Sequence, residues 1–235
     1  MDWLALLTAA VTPGIALLAY FYLKDRYEPE PIYMVLRVFL FGVLLVFPTI
    51  VLQRTLVLAT SENPFWYAFV ISAGLEEFMK WFVMYFIVYK LAAFDEPYDG
   101  IVYAVAVSLG FATLENTIYI FLNDSSFSTI LYRAFLPVSG HALFGVTMGY
   151  YLGKAKFNPP AHRRLILLAL FLPILWHGLY DYILLRFQTH WIWLILPLMA
   201  FMWGKSLYKV NQANRESPLH TLRREEEVKM GSSGQ

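Results

Sequence analysis

Long apolar runs closed by short polar breaks make up almost the whole chain: residues 3–23, 32–52, 65–89, 98–122, 129–152, 165–187 and 191–208. Each run has the length of a tilted transmembrane helix, which needs roughly 20 residues. The pattern predicts an all-α fold, a polytopic transmembrane helix bundle of about seven spans. A single transmembrane domain is expected over residues 1–210, with a polar tail over 211–235. The connections leave no room for a soluble domain, and no internal repeat is evident. The first run follows the acidic Asp2 and continues past Pro13, which predicts a retained helix and not a cleaved signal peptide. The last residues, Gly231-Ser232-Ser233-Gly234-Gln235, look like an appended linker and carry no argument.

Composition agrees with the pattern. Of 235 residues, 59% are hydrophobic and 15% charged, against about 25% charged in soluble domains. The net charge of +1 gives no reason to expect a nucleic-acid partner; the membrane lipid is the expected surroundings. The chain has no cysteine, so disulfides and thiolate chemistry are excluded, and any zinc would have to use His, Asp and Glu. Lys24, Arg26, Lys90, Lys154, Lys156, Arg163 and Arg164 fall in one set of connections, together with the basic tail. The other set holds little beyond Arg54 and Arg186. The positive-inside rule therefore predicts the N-terminus outside and the C-terminus in the cytoplasm. The charged connections Lys24–Pro31 and Ala92–Gly100 read as solvated loops.

Against this apolar background Glu76, Glu77 and Lys80 stand near the middle of run 65–89. Ionisable groups at mid-bilayer cost several kcal/mol each and mark functional cavities. Glu76 and Lys80 share a helix face, as do His177 and Asp181. Glu115, followed by Asn116, and His141, preceded by Ser139, supply further polar groups on two other runs. Arg37 and Arg133 are expected to snorkel or to pair within the bundle.

At 1.5 Å per residue, Glu76 lies about 17 Å from the outer end of its run, His141 about 18 Å and His177 about 15 Å. Glu115 lies about 10 Å and Asp181 about 9 Å from theirs. Four helices thus bring their polar groups to one layer in the outer half of the membrane, which predicts a water-filled cavity opening outward.

Such a group suits hydrolysis by activated water, with a carboxylate as general base and a histidine donating to the oxyanion or leaving group. Alternatively, zinc held by candidates among Glu76, Glu115, His141 and His177 would activate the water. The spacing leaves both open, and there is no His-Glu-x-x-His motif. A proton-coupled transporter or membrane receptor would also use buried Glu and His residues, but no matching broken halves are apparent.

The motifs Glu76-Glu77-x-x-Lys80, Phe111-x-x-x-Glu115-Asn116, Ser139-x-His141 and His177-x-x-x-Asp181 resemble those of the PrsW family of bacterial intramembrane proteases. The segments Asp25-Arg26-x-Glu28-Pro29-Glu30-Pro31 and Asp95-Glu96-Pro97-x-Asp99-Gly100 are similar to that family as well. The resemblance implies a multi-pass protease of the bacterial cell membrane. Its substrate would be a single-pass transmembrane anti-sigma factor, cut first at its extracytoplasmic edge to activate a sigma factor in the stress response. It further implies that Glu76 activates water, Glu77 supports it, and His177 with Asp181 stabilises the oxyanion. The related CAAX prenyl endopeptidases carry a histidine where this chain has Glu115 and an asparagine where it has Asp181. His141 is therefore a candidate for the missing imidazole. CAAX-type processing is a second enzymatic reading, but its cytoplasmic chemistry suits the expected orientation less well.

Overall fold

A computed structural model of the chain describes residues 3–59, 63–123, 127–187, 189–218 and 220. Among the described residues every regular element is helical. Five helices are long and apolar enough to cross a membrane: α1 (Trp3–Tyr22), α2 (Ile32–Ala59), α5 (Asp99–Leu122), α8 (His162–Arg186) and α9 (Trp191–Arg215). Two further rods are interrupted. One runs from α3 (Pro64–Trp66) through a π-helical turn, Tyr67–Ser72, into α4 (Ala73–Phe86). The other joins α6 (Phe127–Arg133) through a π-helical turn, Ala134–Val138, to α7 (Ser139–Lys156). The predicted runs thus correspond to five continuous helices and two rods broken by a π turn.

α5 is the axis of the bundle. Every residue from Asp99 to Thr113 is buried, which follows from a helix apolar on all sides. α7 meets it through small residues. A Cβ on Gly149 would lie 2.1 Å from the carbonyl oxygen of Gly100, so only glycine admits this approach. Helices toward the rim instead turn large apolar side chains outward, such as Leu40, Leu44 and Phe47 of α2. In lipid this exposure carries no penalty.

The connections expected to be solvated are so only in part: Lys24, Arg26, Glu28 and Asp95 are exposed, but four carboxylates are not. Asp25, Glu30, Glu96 and Asp99 are buried. Prolines at 29, 31 and 97 break the helix on these segments, and a tyrosine and backbone amides meet the carboxylates of Glu30, Asp25 and Asp99. The Tyr103 hydroxyl donates to Glu30, and Asp99 Oδ2 accepts from the amides of Asp95 at 2.8 Å and Glu96 at 2.6 Å. The Tyr98 hydroxyl donates to the Phe21 carbonyl at 2.8 Å and the Tyr22 hydroxyl to the Glu30 carbonyl at 2.9 Å, pinning both segments to α1. Burial pushes Asp25 up to about 6 and Glu30 up to about 7, both above the usual carboxylate range.

α9 continues to Arg215, beyond the expected end of its run, and Asn214 Nδ2 donates to the Lys24 carbonyl at 3.2 Å. The remainder of the expected polar tail, 221–235, lies outside the described residues.

Candidate active site

α4 has two opposed faces. Phe78, Phe82 and Phe86, four residues apart, point out of the bundle, while Glu76, Glu77 and Lys80 point in and are buried. Each site-bearing interrupted rod has its π turn just before its polar residues. The first ends at Ser72, four residues before Glu76, and the second ends at Val138, three before His141. The extra residue in such a turn shifts the helix face, and π turns recur at functional sites for that reason. In the first turn the Ala73 amide bonds the Ala68 carbonyl, five residues back. In the second, the Ser139 hydroxyl donates to the carbonyls of Phe135 and Leu136, groups that the irregular turn around Pro137 leaves for a side chain.

The inward residues meet in one cluster. Glu77 Oε1 accepts from Lys80 Nζ at 2.7 Å and lies 2.9 Å from His177 Nδ1. Lys80 Nζ is also 2.9 Å from His141 Nδ1 and 3.8 Å from Glu76 Oε2. His177 Nε2 faces Glu76 Oε2 at 3.9 Å and Asp181 Oδ2 at 3.5 Å. The two imidazoles cross edge to face, with ring centres 5.1 Å apart. Phe144 stacks on His177 at 4.7 Å, and Lys80 Nζ lies 4.4 Å from the ring centre of Phe111. Glycine is needed again beside the histidine: a Cβ on Gly178 would come within 2.3 Å of the Phe69 ring in the first π turn.

Glu115 and Asp181 sit at the margin. Glu115 Oε2 is 3.0 Å from His141 Nε2, and its Oε1 is 3.5 Å from Arg133 Nη2. Its side chain is 38% exposed and that of Asp181 19%, while Glu77 and Lys80 are fully buried. These more accessible members are the two that the depth count brings nearest the outer end. Asn116 faces away from the cluster, donating to the Ala10 carbonyl at 3.0 Å and accepting from Arg133 Nε at 3.0 Å. It braces Arg133, which confirms that this arginine pairs within the bundle.

Three contacting residues were not singled out from the sequence. Gln53 Nε2 donates to Glu76 Oε1 at 3.0 Å, from the part of α2 beyond the expected end of its run. The Ser72 hydroxyl donates to Asp181 Oδ2 at 2.6 Å. Phe144 lies one helical turn after His141. Ser72, four residues before Glu76, and Phe144, three after His141, were findable by helical spacing.

One oxygen of each carboxylate in the pair, Glu76 Oε2 and Glu77 Oε2, is buried with no hydrogen-bond partner. Such groups are costly unless something else meets them. Glu76, Glu77, His141 and His177 each offer a donor atom within 4.8 Å of the others. Two carboxylates and two imidazoles form a donor set suited to zinc. The orphaned oxygens make the set fit a cation, with Glu77 in the group in place of Glu115, which was the candidate from the sequence. Lys80 Nζ already supplies one positive charge to this group.

The profile of the family described as "PrsW family intramembrane metalloprotease" matches residues 30–204, a range that includes every residue of the cluster. The chain is similar to "Protease PrsW" of Geobacillus kaustophilus (strain HTA426), 51% identical over 89% of this chain and 92% of that protein. It is similar to "Protease PrsW" of Bacillus subtilis (strain 168) at 49% identity, over 89% of this chain and 95% of that protein. The protein of the same name from Clostridioides difficile (strain 630) is 32% identical over 89% of this chain and 91% of its own length. No solved structure matches.

Proposed function

Because the chain belongs to the PrsW family of intramembrane metalloproteases, and is therefore a multi-pass membrane protease, we propose that Glu76 and its neighbours hydrolyse a peptide bond of a single-pass membrane substrate near its extracytoplasmic edge. The observation that carries this reading is the unpartnered, buried Glu76 Oε2 facing His177 Nε2 at 3.9 Å. Glu76 takes the proton of the attacking water. Gln53 holds the other carboxylate oxygen and so fixes the direction in which the free one points.

His177 stands across from it and donates to the oxygen on which negative charge develops. Asp181 and Ser72 orient that ring at Nε2, and Glu77 at Nδ1. Lys80 balances the charge of Glu77, so that Glu76 remains the carboxylate available for chemistry. In the alternative, a metal ion held by Glu76, Glu77, His141 and His177 would itself activate the water, and Glu76 and His177 would then serve as its ligands in place of base and oxyanion donor. His141, backed by Glu115, is the imidazole that the glutamate at that position makes necessary.

Partial exposure of Glu115 and Asp181 supports substrate entry from their end of the bundle. That end is extracytoplasmic on the positive-inside reading. The resemblance to the PrsW family makes a single-pass anti-sigma factor the proposed substrate, with release of a sigma factor in the stress response as the consequence. A substrate helix must unwind locally, since its amides are shielded by their own hydrogen bonds.

The test is incubation of the reconstituted protein with a single-pass anti-sigma factor, followed by mapping of the new termini by mass spectrometry. A cut at the extracytoplasmic edge supports the proposal. A cut on the basic, cytoplasmic side overturns the sidedness and favours CAAX-type processing. Absence of any cut, with proton flux through the same liposomes, overturns it in favour of transport.

A further inference from the structure

Away from the carboxylate pair, a cavity of about 390 Å³ opens between α7, α8 and α9. Its lining changes along the helix axes. From the basic end of each helix, Tyr150 and Lys209 lie about 9 Å in, and Thr147 and Lys205 about 14–15 Å in. Trp176 and Phe201 lie about 21 Å in. The mouth is thus polar and cationic, and the base is formed by Leu172, Trp176, Phe201 and Met202.

The two lysines at the mouth lack counter-ions. Lys209 Nζ donates to Thr147 Oγ1 at 3.1 Å and lies 5.0 Å from the ring centre of Tyr151. Lys205 Nζ lies 5.6 Å from the ring centre of Phe201. Among the described residues neither has a carboxylate within ion-pair distance, whereas nearby Lys154 is paired with Glu216 at 2.9 Å. An ammonium offers three donors, and Lys209 has one of them met by a side chain. Two like charges facing one partly buried cavity favour an anion, and each aromatic neighbour offsets only part of that charge.

We propose that this cavity binds one anionic phospholipid, its phosphate held by Lys205 and Lys209 and one acyl chain laid over Leu172, Met202 and Trp176. Three features select a lipid over other anions. The cations lie toward the basic end of the bundle, whose rim carries Lys156, Arg163 and Arg164 and which faces the cytoplasmic headgroups on the positive-inside reading. The cavity becomes apolar in the direction in which acyl chains run. Cationic pockets between transmembrane helices take anionic headgroups by this combination of charge and depth.

Native mass spectrometry of the full chain, delipidated in neutral detergent, tests this. Phosphatidylglycerol and phosphatidylcholine with the same acyl chains are titrated separately onto wild type, K205Q, K205Q/K209Q and K205R/K209R. Wild type is expected to retain one phosphatidylglycerol more tightly than phosphatidylcholine, by roughly fivefold for each lysine engaged. K205Q should lose part of that preference, the double glutamine variant all of it, and the double arginine variant none.

Melting temperatures in phosphatidylcholine show whether the variants are folded, and the exposed K205Q decides alone if the double variant is not. A wild type without headgroup preference, or glutamine variants that keep it, overturns the proposal. Displacement of phosphatidylglycerol by millimolar inorganic phosphate also overturns it and identifies a free-anion site. Displacement by a soluble polyglutamate peptide overturns it as well, in favour of an acidic polypeptide segment.

Discussion

Glu77 Oε1 accepts from Lys80 Nζ at 2.7 Å and lies 2.9 Å from His177 Nδ1, so a single buried oxygen holds both the ammonium and the imidazole of the site. Glu76, its neighbour in sequence, has an oxygen with no hydrogen-bond partner. On the proposed mechanism the adjacent carboxylates have separable duties, one structural and electrostatic, the other chemical.

Substitutions at the pair should separate these duties. Glu77→Gln removes the counter-charge of a fully buried lysine. Breaking one side of a buried pair costs about 3–5 kcal/mol, so this variant should unfold earlier and lose turnover together. Glu76→Gln keeps shape and the bond from Gln53, and should melt close to wild type. Thermal unfolding of both variants in one detergent checks the contrast. A Glu77→Gln protein as stable as wild type would contradict it.

The Ser72 hydroxyl bonds Asp181, whose same oxygen faces His177. Ser72→Ala should lower turnover by about tenfold, as loss of an orienting partner typically does, with little effect on substrate KM. Ser72→Thr retains the hydroxyl and should restore most of the rate. Steady-state kinetics on a fluorogenic single-pass substrate would read both parameters.

Gly178 separates α8 from Phe69 where His177 enters the site. Gly178→Ala should cost about 1–3 kcal/mol through overpacking and reduce activity by displacing His177. Adding Phe69→Leu removes the ring that the new methyl meets. The double variant should recover stability relative to Gly178→Ala, and a melting experiment on the pair tests it.

The buried Glu30 gives a pH dependence at the other end of the bundle. Its carboxyl is raised by burial from 4.5 to about 7, with Tyr103 opposing the shift. A folded state that binds its proton more tightly than the unfolded one is most favoured below about 4.5 and loses that advantage as pH rises through about 7. Stability should therefore fall across this window, and Glu30→Gln should flatten the fall. Unfolding midpoints taken across the window provide the measurement.

The bundle and most of the cluster were legible because charge inside an apolar run is conspicuous, and counting residues along a helix gives its depth. Of the residues so counted, Glu76, His141 and His177 meet in the cluster beside Glu77 and Lys80, with Glu115 and Asp181 at its margin. Gln53 escaped because an amide near a run's end looks like the end of the span, when α2 carries on to Ala59. The π turns escaped because a periodicity of 3.6 cannot register one extra residue in a single turn, although Pro137 marked the second. The burial of Glu30 and Asp99 was hidden for a different reason. A charged, proline-rich connection reads as solvated unless the tyrosines that cover it, here Tyr98 and Tyr103, are known to fold over it.

The most direct measurement compares turnover of purified wild type and Glu76→Gln on the same single-pass substrate in liposomes, with both proteins shown to be folded. Loss of a positioned general base should reduce the rate by about 10²–10⁴-fold, leaving substrate binding and melting temperature near those of wild type. Wild-type turnover from a folded Glu76→Gln protein would contradict the assignment of Glu76 as the group that activates water.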